Sequence, residues 1–386
     1  MKKYNLLLPI AGKAQRFIDA GYPMPKPLIH AGDKQIIDLS LDSIDIEDCN
    51  LIFVVRKDHI LNFNIDNILR IKFGNDIVIK TIDIITRGAL ETCYLATEDI
   101  DHDLPLIIYT PDVSFSPQFD PSVINKDADG FLLTFRANSP DHSYVSLGED
   151  GLANMVAEKE VISENANVGL YYFRNGKLFQ NYAKEMIENN IMVKNEFYIA
   201  PMYNLLIRDK LRVEVSETEK MYVLGTPENL SFYEEKVIKS FNTKTFVLSA
   251  DHSGFELKEK TKKILDKLSI KYIDVGTFVN KPCDYSDYIK EAINSVTNNR
   301  ATHSLSFCRT GQGVNIGANK KSNFISTIVF DGYTSEYAIR HNCSDFFSVP
   351  TKYVDETGMK EILDAIISNS FDGGRHYTRL VKALNE

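Results

Sequence analysis

The sequence predicts an α/β protein of two domains, and three observations carry that prediction. Short apolar runs suited to buried strands alternate with amphipathic helical patterns. The alternation restarts after Ser240, and in each half a strand-like run leads directly into a turn rich in small residues. With 386 residues, the chain is long enough for two domains that each bury a core.

The elements follow in order. Residues 5–10 (NLLLPI) come after two lysines but are too short for a secretion signal, lack a small-residue cleavage site and enter a turn, so they read as a first buried strand. Residues 51–55, 106–109 and 130–135 read as further strands of a mostly parallel sheet. Residues 234–243 read as a helix running into a short tether, which places the boundary near 243 and the domains at 1–243 and 244–386. Residues 245–249 begin the second sheet. In the helix that follows, Leu257, Ile264, Leu265 and Leu268 share one face with lysines opposite, and residues 272–276 make the next strand.

Composition excludes several classes. A hydrophobic fraction of 44% with 25% charged residues is that of a soluble globular protein. No apolar run approaches the roughly 20 residues that cross a bilayer, so no membrane partner is expected. A net charge of −9 argues against nucleic acid as a partner, and anionic ligands must be met by local lysines and arginines. Five cysteines (Cys49, Cys93, Cys283, Cys308, Cys343), odd in number and without metal spacing, point to reduced thiols and a cytoplasmic location.

In the first half, the segment P-I-A-G-K-A-Q-R-F is followed by G-Y-P-M-P-K-P-L. A strand ending in a small-residue loop, here Ala11 and Gly12, lets backbone N–H groups approach phosphate oxygens, and Lys13, Arg16 and Lys26 add positive charge. Phosphoryl-centre chemistry needs such charge more than it needs a nucleophile. Thr110-Pro111-Asp112 puts a carboxylate at a strand end, where a Mg²⁺ ligand is wanted. Glu158-Lys159-Glu160, residues 165–173 and Leu224-Gly225-Thr226-Pro227-Glu228 complete the series; such charged triplets taken singly are usually solvated surface.

These motifs resemble those of the sugar-phosphate nucleotidyltransferases, the pyrophosphorylase-like family, over residues 1–240. The resemblance implies a GT-A-like, three-layer α/β/α domain and transfer of a nucleotidyl group from a nucleoside triphosphate to a sugar phosphate. It implies Gly12, Arg16 and Lys26 on the triphosphate, Thr86-Arg87-Gly88-Ala89 at the nucleobase, Asp112 on Mg²⁺ and Lys159 on the sugar phosphate. The chain departs from the pattern at Ala14, where the signature has its second glycine. It also lacks an Asp between Glu196 and Asn204, where a second metal carboxylate is expected, leaving Glu196 or Asn204 as substitutes.

The second half offers what aldose–ketose interconversion through an enediol requires: a base, a ring-opening acid/base, donors for the enediolate and cations for a phosphate. Cys308 ends an apolar strand and opens the turn Cys308-Arg309-Thr310-Gly311-Gln312-Gly313, whose N–H groups would lower the thiol pKa and hold an anion. His341, with an ordinary pKa of about 6.5, suits ring opening. Arg375 and Arg379, four apart, share a face if helical and clamp a phosphate. A lone cysteine on a buried strand is more often inert core; the ordered set is what carries weight.

Asp251-His252-Ser253-Gly254, the Cys308 turn, His341-Asn342, Ala318-Asn319-Lys320 and Gly373-Gly374-Arg375-His376 with Arg379 resemble the ribose-5-phosphate isomerase type B and galactose-6-phosphate isomerase family. The resemblance implies a Rossmann-like α/β/α fold without a cofactor and a homodimer that builds each site from two subunits. Cys308 would be the base, Thr310 with Gly311 and Gly313 the enediolate stabiliser, and His341 the ring opener. Asp251, His252, Asn342, Arg375 and Arg379 would bind the sugar phosphate. Arg309, Asn315 and Thr351-Lys352 depart from the family pattern at the pocket and imply a substrate other than ribose 5-phosphate.

Together the halves imply a bifunctional enzyme. Isomerases of this type leave the phosphate on the terminal carbon, and activation there is typical of cytidylyltransferases, so CTP is favoured and the product would feed a surface polysaccharide. The alternative is that one half serves as an oligomerisation or nucleotide-binding module.

Overall fold

A computed structural model describes residues 2–32, 34–238, 244–298, 300–320 and 325–385. The chain divides into two compact units, Met1–Ser231 and Phe232–Glu386. The boundary expected near residue 243 lies outside the described residues; before it, Tyr233–Ile238 winds as a π-helix.

In the first unit a nine-stranded sheet is built from β1 (Tyr4–Pro9), β2 (Cys49–Arg56), β3 (Val78–Ile82), β4 (Leu106–Tyr109), β5 (Gly130–Arg136), β6 (Ser143–Leu147), β7 (Ala153–Glu158), β8 (Asn165–Phe173) and β9 (Val213–Glu217). The order is β7-β6-β8-β4-β1-β2-β3, with β5 on β8 and β9 on β5. Leu6 and Leu8 of β1 enter one apolar cluster and Leu7 another. Both faces of the strand are covered, which is why its sequence is apolar at consecutive positions.

The sheet is less parallel than the sequence suggests. Strands β1 to β4 run parallel, but β8 is antiparallel to β4, β5 and β6, and β6 is antiparallel to β7. An apolar run such as residues 130–135 reports burial on both faces, not strand direction.

The second unit holds a five-stranded, all-parallel sheet of β10 (Phe246–Ala250), β11 (Tyr272–Asp274), β12 (His303–Cys308), β13 (Ser326–Ile328) and β14 (Phe346–Pro350), in the order β11-β10-β12-β14-β13. Buried serines satisfy one another across it: Ser249 with Ser306 at 2.8 Å, Ser304 with Ser306 at 2.9 Å and Ser326 with Ser348 at 3.1 Å.

Helix Phe255–Lys267 buries Leu257, Ile264 and Leu265 as expected. Two expectations about it need correction. Leu268 caps the helix and is exposed, whereas Lys258, expected on the wet face, is fully buried. Its ammonium is held by Asp274 at 2.5 Å and Glu259 at 2.7 Å, and a paired lysine can stay inside. β11 also stops at Asp274, because Val275 and Gly276 both turn their N–H groups onto the Leu248 carbonyl.

Candidate active sites

In the second unit the parallel strands bring chemistry to their carboxyl ends. Ala250 pairs with Phe307 and Cys308 with Pro350, so the turns after β10, β12 and β14 lie side by side. Cys308 is the last residue of β12 and only 5% exposed. The chain then reverses through Gly311, whose φ of +74° a side chain would strain, into helix Gln312–Asn319. The Gly311 N–H donates to Cys308 Sγ at 3.2 Å, so the thiol rests at the entrance of a helix N-terminus.

The neighbouring turn is seated closely. A Cβ at Gly254 would overlap the Phe307 carbonyl, and one at Gly313 would meet the Tyr285 ring at 2.6 Å. Asp251 is buried and accepts from the Gly254 N–H at 3.0 Å. His252 Nδ1 lies 3.3 Å from both the carbonyl oxygen and the amide nitrogen of Cys283, and the tautomer decides which it pairs with. Thr351 ties these turns together: its N–H donates to the Cys308 carbonyl at 3.0 Å and its hydroxyl to the Ser253 carbonyl at 3.0 Å. Thr310 is exposed beyond the thiol.

A second cluster of the same unit gathers around His341, which caps helix Gly332–Arg340. Its ring stacks on His376 with centroids 3.8 Å apart and meets Tyr337 edge-on at 4.5 Å. Arg340 bridges Asp372 at 3.1 Å and Glu336 at 2.6 Å, and Asp372 stands 4.0 Å from His341 Nε2. Burial pushes His341 below the ordinary histidine range, with Asp372 opposing and Arg340, Arg375 and Arg379 assisting. Burial takes His376 down to about 4, with His341 and the arginines adding to the fall. Arg375 and Arg379 both lie on helix Gly374–Asn385, and Asn342 is exposed nearby. Among the described contacts, the Cys308 set and the His341 set have no residue in common.

In the first unit β1 runs into the loop holding Ala11, Gly12 and Lys13; Gly12 faces open space, and Lys13 and Arg16 are exposed. Ala14 adopts the left-handed conformation, φ 52° and ψ 40°. The backbone shape a glycine would take is thus retained by alanine, at a cost of about 1–2 kcal/mol. Lys26 Nζ contacts Asp112 Oδ2 at 3.1 Å, joining the two signature segments. Gly225 closes over that carboxylate: a Cβ there would stand 3.3 Å from Asp112 Oδ2.

Arg87 is held by Glu91 at 2.7 Å and lies 4.7 Å over the Phe197 ring. Gly88, with φ +147°, lets the Phe197 backbone approach so closely that a Cβ would overlap its carbonyl oxygen. Lys159 has φ 56°, and its Nζ donates to the Tyr198 hydroxyl at 2.6 Å.

Two residues of the motif series to which the sequence reading gave no individual role stand out here. Burial raises the Glu158 carboxyl to about 7, with Lys159 pulling it back and Glu196 adding to the rise. Asn167 is buried with its Nδ2 unpartnered among the described residues, and its Oδ1 accepts from the Gly169 N–H at 2.6 Å at a bulge in β8.

Of the two residues expected to stand in for a second metal ligand, one is engaged elsewhere. Asn204 spends its whole amide on β7, donating to the Val156 carbonyl at 2.7 Å and accepting its N–H at 2.8 Å. Glu196 acts on both Tyr198 and Glu158, raising each. Among the described residues no cluster of three His, Cys, Asp or Glu side chains could hold a metal. Asp112, part-exposed and with Lys26 on one oxygen, still suits Mg²⁺, which needs only one or two carboxylates beside phosphate oxygens.

Comparison with known proteins places both halves. The ribose/galactose isomerase family model matches residues 246–383. A Rickettsia bellii protein described as a candidate sugar phosphate isomerase is 34% identical over 140 residues, 36% of this chain and 97% of that protein. Ribose-5-phosphate isomerase B of Escherichia coli is 27% identical over 137 residues, 36% of this chain and 92% of the enzyme. The structure of a nucleoside-diphosphate-sugar pyrophosphorylase from Vibrio cholerae RC9 superposes with a TM-score of 0.53 and 22% identity, covering 59% of this chain and 99% of that one. That second likeness is one of fold. A pyrophosphorylase-like fold is therefore joined to a sugar-phosphate isomerase domain, and through residues 246–383 the chain belongs to the ribose/galactose isomerase family.

Proposed function

We propose that the chain is a bifunctional enzyme of sugar-phosphate metabolism. Residues 244–386 interconvert an aldose phosphate and its ketose, and residues 1–243 transfer a nucleotidyl group from a nucleoside triphosphate to a sugar phosphate. The observation that carries the first activity is the Cys308 thiol at a strand end, accepting the Gly311 N–H at 3.2 Å.

As thiolate, Cys308 takes the proton from the carbon beside the carbonyl. The enediolate oxygen is held by Thr310 and the amides at Gly311 and Gly313, and the proton returns to the adjacent carbon. His341 opens the ring, Asp251, His252 and Asn342 hold sugar hydroxyls, and Arg375 and Arg379 hold the phosphate. As the family resemblance implies, the His341 set of one subunit would complete the Cys308 set of the other in a homodimer.

In the first unit, an oxygen of the sugar phosphate attacks the α-phosphorus and the bond to the β-phosphate breaks, releasing pyrophosphate. Ala11, Gly12, Lys13, Arg16 and Lys26 cradle the triphosphate, Arg87 and Gly88 frame the base, and Lys159 meets the sugar phosphate. Mg²⁺ on Asp112 would neutralise charge developing on the phosphates. The isomerase leaves phosphate on a terminal carbon, which favours CTP and a cytoplasmic supply of activated sugar for a surface polysaccharide.

A mass-spectrometric product screen tests the whole reading. Pentose and hexose 5- or 6-phosphates are offered with Mg²⁺ and each of CTP, UTP, GTP, ATP and dTTP. A nucleotide-sugar that weakens in Cys308→Ala for the aldose, but not for the matching ketose, is expected. Deuterium exchange into sugar phosphate without any nucleotide-sugar would reduce the first unit to a binding module. The lack of an Asp between Glu196 and Asn204 favours that outcome over the loss of the isomerase.

A further inference from the structure

We propose that Tyr198 is the positioning residue of the transferase site: its hydroxyl sets the Lys159 ammonium for the acceptor phosphate, so that it decides how tightly the sugar phosphate, and not the nucleotide, is held. This rests on the reading of Lys159 as the sugar-phosphate ligand.

Lys159 is unusual before any ligand arrives. It directly follows β7, and its backbone takes a left-handed φ of 56°, a conformation that costs a non-glycine residue free energy. Its N–H donates to the His142 carbonyl at 3.0 Å, which pins that turn. The side chain is then fixed at its far end, with Nζ 2.6 Å from the Tyr198 hydroxyl and 4.9 Å from the ring centroid. A flexible lysine is thereby held at both ends.

Proton accounting explains why the partner is a tyrosine. An ammonium can only donate, so the Tyr198 oxygen accepts from Lys159 and must send its own proton elsewhere. Glu196 receives it. Two of the three Lys159 N–H bonds stay available for phosphate oxygens. Without the hydroxyl, the ammonium is left to Glu158, on whose carboxyl it already acts, and that pairing would turn it from the phosphate. The adjacent Phe197 carries Arg87 and abuts Gly88 at the nucleobase loop, so the two ends of the reaction are served by consecutive residues.

The test uses Tyr198→Phe in the full chain. The KM for the sugar phosphate should rise about tenfold, the worth of one hydrogen bond to a charged group. The KM for the triphosphate and the isomerase exchange rate should move less than about twofold. An unchanged sugar-phosphate KM, or an equal rise in both constants, overturns the proposal. Lys159→Met separates the two readings: if it leaves the sugar-phosphate KM unchanged, Lys159 is not the ligand, whatever Tyr198 does.

Should no nucleotide-sugar form, acetylation resolved residue by residue still decides the matter. Lys159 should react several-fold faster in Tyr198→Phe than in the parent, with millimolar inorganic phosphate protecting it in the parent alone. Equal reactivity with and without the hydroxyl overturns the proposal.

Discussion

Lys26 Nζ and Asp112 Oδ2 stand 3.1 Å apart although 86 positions separate them in the chain. One residue is expected on a nucleotide's phosphates and the other on Mg²⁺, so the pair sets the two proposed ligands' partners side by side. On the proposed roles, the second carboxylate oxygen of Asp112 would take the cation while the Lys26 ammonium turns to the phosphates.

Asp112→Asn should therefore lower nucleotidyl transfer at least about 100-fold, because a neutral amide is a poor ligand for Mg²⁺. The ion pair is part-exposed, and its loss should cost no more than about 1 kcal/mol of stability. Pyrophosphate release at saturating Mg²⁺, beside a urea titration, measures both.

Ala14→Gly should stabilise the first unit. Removing a left-handed alanine gains about 1–2 kcal/mol, and the added freedom of glycine in the unfolded chain returns about half of that. A rise of a few degrees in the transition of this unit by calorimetry is expected, and no rise would mean that the loop relaxes elsewhere.

Cys308→Ser should keep the fold and lose the isomerase. A hydroxyl can still accept the Gly311 N–H, so the turn remains seated, but it is too weak an acid to act as a base at neutral pH. Exchange of solvent deuterium into the sugar phosphate should fall about 1000-fold or more, with an unchanged circular dichroism spectrum.

Acid should loosen the cluster around helix Gly374–Asn385. His376 has a folded pKa of about 4 against about 6.5 unfolded, so the fold prefers the neutral ring. Its contribution is complete above pH 6.5 and is lost as the pH falls toward 4, because the unfolded chain binds the proton more readily. His341 shifts in the same direction. Urea midpoints at pH 7 and pH 5 should differ for the parent, and the difference should shrink in His376→Gln.

Much of the fold was legible because burial writes itself into the pattern: the strand at residues 106–109 appears with those bounds, and the helix after residue 254 buries three of its four expected leucines and isoleucines. Strand direction was not legible, since β5 is apolar whether its neighbour runs with it or against it. Lys258 was misread for a related reason. Its partner Asp274 lies on the next strand, and no local window reports a pairing 16 residues away. At the sites, Gly311 and Gly88 could be anticipated from motif positions. That Asn167 Nδ2 has no partner among the described residues, and that Glu158 is raised, depend on how β7 and β8 are covered, which composition does not show. The fate of Asn204 was likewise invisible, because an amide gives no sign of preferring backbone to metal.

The two large sheets draw on separate stretches of chain, Tyr4–Glu217 for one and Phe246–Pro350 for the other. A lesion such as one at Leu132 of β5 should then spoil the first sheet while strands β10 to β14 keep all their hydrogen-bonded neighbours. In genetic terms, the locus would behave as two. Missense alleles that damage different halves should complement one another when expressed together, each chain supplying the chemistry that the other has lost, whereas early stop codons should fail to complement either class.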